Sequence, residues 1–467
     1  MFRTAARVRR VTRRSTSSIL LRLAGAVGIA GGLALAPAVA DAGVGGPVAI
    51  TGFSSSSTAL QPLGGGITLT AVVTGASTCT YSVAPPVAGF PMTLSCAPSS
   101  GTSKRTQHVA VVLPPNAKSS AIHYLWSLVA RPSSSGSAVK KTTTVTVEGY
   151  RWGATQHGLA SPTSPTRISC PTTALCVLVA TGGSAGTLDS TGAHWSHVDG
   201  THSLVSVSCT PGTPVFCVAG DNAGNYVVLN GTTWSPPAAM PGAPGSGGTP
   251  DPVGQLTSMS CVRESPSKAS LGKRCLAGDD TGHTYWMTFG SGVTIRPERH
   301  GIKRVAAASC ASATACVVAD LNGVGIYFDG KTWSAPTTLD SFGGVTDVSC
   351  APDGSCVLTD HSGHVIQFPA NGKLLTPKAV KLTKNQLLYL VGVSCVPHYC
   401  LVAVSDGSFF QSVGSAWAPT AASYPNLYGS KLVGASCALD KPTPLLMSCT
   451  AFTSGHKDFK GHVTLMK

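Results

Sequence analysis

Between Cys170 and Cys449 the chain repeats one pattern: a β-like run ending in Ser-Cys or a close variant, a short gap, a second Cys followed by apolar residues, then turn signals. The first cysteines of the units are Cys170, Cys209, Cys261, Cys310, Cys350, Cys395 and Cys437, seven units with a mean period of about 44 residues. That is the length of a four-stranded propeller blade, so the spacing predicts an all-β chain built around a seven-bladed β-propeller.

The unit around Cys310 shows why. Ala308 to Cys310 ends a first strand, Cys316 to Ala319 opens a second, Asp320 to Gly323 turns, Val324 to Phe328 forms a third, Asp329-Gly330 turns again, and Thr332 to Ser334 opens a fourth. An Asp-Gly pair between β-rich runs is a strong hairpin signal. The second cysteine is followed by Asp at plus four and Gly at plus seven in Cys217/Asp221/Gly224, Cys275/Asp279/Gly282, Cys316/Asp320/Gly323 and Cys356/Asp360/Gly363. A Trp follows at plus seventeen as Trp234, Trp333 and Trp417, and at plus nineteen as Trp195, which predicts one buried aromatic between neighbouring blades. The unit starting at Gly434 has only three strands, over Ala435–Cys437, Cys449–Phe452 and His462–Met466. The segment 149–156, which carries Tyr150 and Trp152, is expected to supply the missing strand and close the ring, removing exposed edges.

All sixteen cysteines fall into eight close pairs: Cys79/Cys96, Cys170/Cys176, Cys209/Cys217, Cys261/Cys275, Cys310/Cys316, Cys350/Cys356, Cys395/Cys400 and Cys437/Cys449. In a blade, each pair flanks the first hairpin at opposed positions, where Cα atoms stand roughly 4.5 to 5.5 Å apart, within disulfide reach. Zinc is the rival reading, but it needs two pairs to converge, and radially separated blades keep them apart. Disulfides imply an oxidising compartment. Residues 1–22 carry seven Arg and no acid, Leu23 to Ala36 is apolar or small, and Ala38-Val39-Ala40 offers a small-x-small cleavage site. Residues 1–40 therefore read as a secretory signal peptide, with Arg13-Arg14 as a weaker twin-arginine signal. A retained anchor is disfavoured, because the apolar run is short and cut by Pro37. Without the leader, 26 basic residues stand against 19 acidic ones, a net charge of +7. That modest excess, with the lysines at 373, 378, 381 and 384 as its densest run, makes nucleic acid an unlikely partner.

Residues 41–148 form a separate unit of alternating β-like runs, among them Ile67 to Val73, His108 to Leu113 and His123 to Val129, with turn clusters between them. Their number and length suggest an Ig-like β-sandwich, and Cys79 and Cys96 stand too close together for an antibody-type inter-sheet bridge. The propeller is assigned to residues 149–467.

The Ser-Cys, Cys, Asp-x-x-Gly, Gly-x-x-Trp-Ser pattern resembles that of secreted actinobacterial β-propeller proteins with paired-cysteine blades, and the unit around Ser77 to Ser82 resembles their Ig-like companion domain. The resemblance implies fold and export. Its motifs are structural and imply no reaction.

Chemistry-bearing motifs are sparse. Asp329 to Trp333 and Asp189 to Trp195 are similar to the Asp-box of sialidases, which is structural in that family. A glycosidase needs two carboxylates about one bond, whereas this chain has three Glu (Glu148, Glu264, Glu298) and sets many of its Asp in repeat turns. Gly182 to Gly186 matches the nucleophile-elbow string without a strand-to-helix context. His194/His197 and His361/His364 are spaced for metal but lack further ligands. A turn Asp offers one acid where calcium needs several, so each is expected to bond its own turn.

These features point to a monomeric, secreted or cell-wall-associated binding or adhesion protein, without catalytic residues, cofactor or metal, whose ligand is an extracellular glycan or protein. The alternative is a propeller enzyme acting on polysaccharide. Binding residues are expected where the repeat is irregular: Tyr285, Trp286, and the loop from Arg263 to Arg274, with the Pro236 to Pro252 insertion beside them.

Overall fold

The computed structural model describes residues 47–465 except for short stretches, the longest being 264–271, 371–377 and 424–430. The expected leader at 1–40 lies outside the described residues, as do Tyr150 and Trp152. All described elements are strands.

Two sheets hold the first unit. Strands Ala49–Ser55, Gly65–Thr74 and Lys104–Leu113 form one, and Ala59–Leu60, Val139–Val147, Ile122–Arg131, Thr78–Ala84 and Met92–Ser95 form the other, in that order across each sheet. Alternation dictates the packing. In Gly65–Thr74 every second side chain is buried, placing Ile67, Leu69, Ala71 and Val73 against Tyr81, Trp126 and Leu128 of the opposite sheet. Cys79 and Cys96 are bonded along one sheet, since Cys96 follows Met92–Ser95, the neighbour of Thr78–Ala84.

From Pro165 onward the chain is a β-propeller. Six successive sheets of four strands, or of five where the outer strand is split, begin at Pro165–Thr172, Leu204–Cys209, Ser258–Arg263, Val305–Ser312, Val345–Cys350 and Leu390–Val396. A seventh consists of Lys431–Asp440, Leu446–Ser454, Lys460–Leu465 and Gln156–Ala160. The second strand of a sheet is covered on both faces by its neighbours, so Phe216–Asp221 and Tyr399–Val404 are buried along their whole length. Apolar cores fill the spaces between consecutive sheets. The one between the fourth and fifth, for example, packs Val317, Ala319 and Tyr327 against Val348, Leu358 and Ile366.

The strand that completes the seventh sheet is Gln156–Ala160, registered as Lys460↔Ala160, Gly461↔Leu159 and Val463↔Gln156. It overlaps the expected 149–156 segment only at Gln156, because pairing with Lys460–Leu465, and not the aromatic character of the preceding run, sets the register. The outer strands also differ from expectation. Trp333 makes a single bridge to Phe328, and the fourth strand of that sheet is Thr337–Thr338. In the second sheet the outer strand is split into Thr233–Trp234 and Ala238–Ala239. Pro336 and the Pro236-Pro237 pair lie in these breaks, and proline has no N–H to give a ladder. The Trp of each unit is half-buried at the sheet edge instead of fully enclosed, as for Trp195, Trp234, Trp333 and Trp417.

All eight expected cysteine pairs are disulfides and no cysteine is free. In the propeller six of them join residues directly opposite in the ladder: Cys209↔Cys217, Cys261↔Cys275, Cys310↔Cys316, Cys350↔Cys356, Cys395↔Cys400 and Cys437↔Cys449. One departs from the expected arrangement. Cys170 and Cys176 are bonded but are not registered partners, because the ladder shifts between Ser169↔Val177 and Thr172↔Leu175 and leaves both cysteines in the irregularity. Cys395 and Cys400 are opposed across only four residues, and His398 closes that tight turn with a φ of 65°. The Cα separations are also shorter than the opposed-pair expectation, at 3.9 Å for Cys170–Cys176, 4.1 Å for Cys395–Cys400 and 4.0 Å for Cys310–Cys316, since the bridge draws the two strands together. Cys176 and Cys400 both open second strands and are buried there.

The serine before the first cysteine has its own task. Its Oγ accepts the N–H of the first cysteine of the next sheet, from Ser169 to Cys209 at 3.0 Å through Ser208, Ser260, Ser309, Ser349 and Ser394. Ser436 of the last sheet accepts from Cys170 of the first at 3.0 Å, so the series closes on itself.

Candidate functional site

The first strands of the sheets surround a channel of 170 Å³. Its wall is made of small and hydroxylated residues, chiefly serines and threonines. The layer formed by the Ser-Cys serines is the same in all seven sheets, because each hydroxyl is committed to the next sheet. Two residues earlier in each first strand the side chains vary: Arg167, Ser206, Ser258, Asp347, Gly392 and Gly434 line the channel. The seventh residue of this layer, Ala307, is turned into the core between the fourth and fifth sheets.

Going round the ring, Asp347 is followed by Gly392, Gly434 and then Arg167. No side chain therefore stands in this layer between the carboxylate and the guanidinium, and the arc is a notch floored by glycine. Asp347 is fixed by the N–H of Val348 at 2.9 Å on Oδ1 and the N–H of Val393 at 3.0 Å on Oδ2. Protein surrounds this carboxyl and pushes its pKa up, while Arg167 and the two N–H donors oppose the shift. Arg167 is exposed, and its Nη1 donates to Thr166 O at 3.0 Å. The notch thus offers a fixed cation, a carboxyl whose charge is costly, and hydroxyls able to donate or accept. It offers one carboxylate, not two.

The residues singled out for irregularity do not share a face. Tyr285 and Trp286 are neighbours on a third strand, so alternation sends them into opposite cores. Tyr285 is 0% exposed and its hydroxyl donates to Asp279 Oδ2 at 2.8 Å, while Trp286 is 3% exposed and packs on Phe328. Neither presents its ring to a ligand, which corrects the expectation for both. The Arg274 guanidinium lies 3.8 Å from the Trp286 ring centroid, and Arg263 Nη2 donates to Thr213 O at 3.1 Å. Both arginines are half-buried at the rim, and the loop 264–271 between them lies outside the described residues.

The turn aspartates bond their own turns as expected. Asp320 Oδ1 accepts the N–H of Asn322 and of Val324, both at 2.9 Å, and Asp279 Oδ1 accepts those of Thr281 and His283. Burial acts to raise the Asp279 carboxyl, but the bonds from His283, Tyr285 and Thr281 outweigh it and hold the pKa below the usual range. These aspartates are more buried than a surface turn would make them: Asp221, Asp279 and Asp360 are 0% exposed. Asp189 is half-buried and Asp329 exposed, and both are held low by donors of their own turns, Thr191 for the first and Thr332 with Lys331 for the second. Gly182 to Gly186 is a hairpin, in which Ser184 is buried and a Cβ on Gly186 would meet Trp195 at 2.8 Å. His364 Nδ1 lies 2.9 Å from Asp360 Oδ2, and its ring stacks on Phe342 at 3.8 Å.

Sequence reasoning missed Arg167 and Asp347. The signal was present: at three residues before the first cysteine these two are charged, where other units carry Ser, Ala or Gly.

No family model matches the chain, and no curated protein matches it. Among solved structures it is similar to YCF48 bound to D1 peptide, at 12% identity and a TM-score of 0.47, over 68% of this chain and 94% of that one.

Proposed function

We propose that this chain is an exported, non-catalytic binding protein in which an Ig-like sandwich at 41–148 carries a seven-bladed propeller, and that ligand enters the channel notch between Arg167 and Asp347. The reading of seven blades is supported by the seven sheets and by the serine-to-cysteine hydrogen bonds that return from Ser436 to Cys170. Export is supported by eight disulfides, which persist in oxidising compartments, and cleavage after Ala40 by the small-x-small run Ala38-Val39-Ala40. No described helix is long and apolar enough to cross a membrane.

One observation carries the binding reading: the single cation and the single carboxyl of the variable layer flank an arc left open by Gly392 and Gly434, while Tyr285 and Trp286 are buried in cores. A cation beside hydroxyls suits a polar ligand with acceptor groups, such as an extracellular glycan or a protein segment with an acidic side chain. Arrays of glycans and peptides probed with the oxidised chain test this. Arg167→Ala should weaken the best binder by about tenfold or more, as loss of a well-placed arginine does at interfaces. Unchanged affinity in both Arg167→Ala and Asp347→Asn would remove the channel as the site. Arg263 and Arg274 supply a second candidate face, read in the same arrays with Arg263→Ala.

The raised pKa of Asp347 favours one competing reading, that of an acid in polysaccharide cleavage. Product release from a polysaccharide, lost in Asp347→Asn, would establish that reading in place of simple binding.

A further inference from the structure

Where the first sheet hands over to the second, the connection at 198–203 places Asp199 and His202 beside Asp221, which ends the second strand of the second sheet. Asp199 is 1% exposed, and neither of its carboxylate oxygens has a hydrogen-bond partner. A buried carboxylate left without donors is strongly disfavoured. Asp221 already uses Oδ1 for the N–H groups of Ala223 and Asn225 and Oδ2 for the Asn225 amide, and His202 Nδ1 lies 3.5 Å from Oδ2. One ligand atom from each of Asp199, His202 and Asp221 lies within 4.8 Å of the other two.

Other junctions supply at least one donor from the protein. Asp340 occupies the place of Asp199 before the fifth sheet, since Leu339 and Asp340 donate to Gly323 O as Val198 and Asp199 donate to Gly183 O. There Asp340 Oδ1 accepts the N–H of Phe342 at 2.8 Å, which leaves only Oδ2 unpaired, against both oxygens of Asp199. Before the third sheet, Asp251 binds Arg299 Nη1 at 2.6 Å. Asp199 has no such donor.

We propose that Asp199, His202 and Asp221 bind a divalent transition-metal cation of the zinc class. Two carboxylates and one imidazole suit such an ion, whereas calcium takes six to eight oxygens. Metal–ligand bonds of about 2.0–2.2 Å require the three donors to draw together by roughly an ångström. His202 is exposed and can make most of that movement. Two ligands come from the connection and one from the sheet it enters, so the ion clips the first handover in place and leaves its outer positions to water.

The competing occupant is a proton shared by the two carboxylates. Titration of zinc chloride into the metal-stripped, oxidised full chain separates the two. The expected result is saturable uptake of one ion per chain and a melting temperature that rises with zinc. His202→Ala should weaken uptake by at least about tenfold, Asp199→Asn should abolish it, and Asp340→Asn should leave it unchanged. His202 is on the surface, so its variant carries the test if Asp199→Asn folds poorly. Absence of saturable uptake, or uptake equal in the His202 and Asp199 variants to that of the parent, overturns the site. Zinc without effect, together with a pH-dependent stability lost in Asp199→Asn, assigns the pair to the proton and overturns it as well.

Discussion

At the scale of single residues, Ser349 shows how much of the ring depends on one atom per repeat. Its Oγ accepts the Cys395 N–H at 2.9 Å across 46 positions of sequence. Ser349→Ala leaves that N–H without an acceptor between two sheets, which costs about 1–3 kcal/mol. A denaturant titration should show the loss, and a variant as stable as the parent would contradict the role. Asp347 makes a prediction in pH. Its carboxyl binds a proton more tightly in the folded chain than in the unfolded one, so its contribution is present below the ordinary carboxylate range and is lost as pH rises through the raised value. Asp347→Asn removes this term, and melting temperatures between about pH 3.5 and 7.5 should show the variant gaining on the parent as pH rises. A difference constant with pH would count against the raised carboxyl. The Ser-Cys motif was plain in the sequence. The bond it makes was not, because its partner lies one repeat away.

At the scale of elements, the repeat was legible wherever a period of two met a turn residue. Cysteine pairs, turn aspartates and turn glycines lie where spacing places them, and only the slipped register at Cys170–Cys176 breaks the rule that bonded cysteines of the propeller face each other. Each failure has its own cause. Tyr285 and Trp286 were singled out as departures from the repeat, yet a third strand sits between two sheets and buries both of its faces. Outer strands were misplaced where Pro236, Pro237 or Pro336 interrupts the ladder. The closing strand was placed by its aromatics, while its position is set by a partner strand near residue 460. Deleting residues 156–160 should expose the edge of Lys460–Leu465, lower the melting temperature, and make the region from Lys431 onward sensitive to protease. An unchanged digestion pattern would refute closure by this strand.

The whole molecule is held by staples inside its sheets and by hydrogen bonds between them. With all sixteen cysteines paired, the denatured but unreduced protein should react with no thiol reagent, and two or more reactive thiols would contradict the pairing. Fold class could be read from the sequence because it repeats. The notch was missed: its two charges are visible at one position of the repeat, but only the folded ring brings the fifth, sixth and seventh sheets round to the first. Ring closure has a consequence for the order in which the chain folds. Lys460 pairs with Ala160, so a strand made early must wait unpaired until one made some 300 residues later arrives. Joining the ends of a flexible loop of that length in one step would cost about 5 kcal/mol in entropy. Successive sheets spread that cost over many smaller steps, each turning the growing ring by a fixed angle. A sheet docked in the wrong register anywhere along the way would leave Gln156–Ala160 facing no partner, so the final pairing proofreads every earlier one.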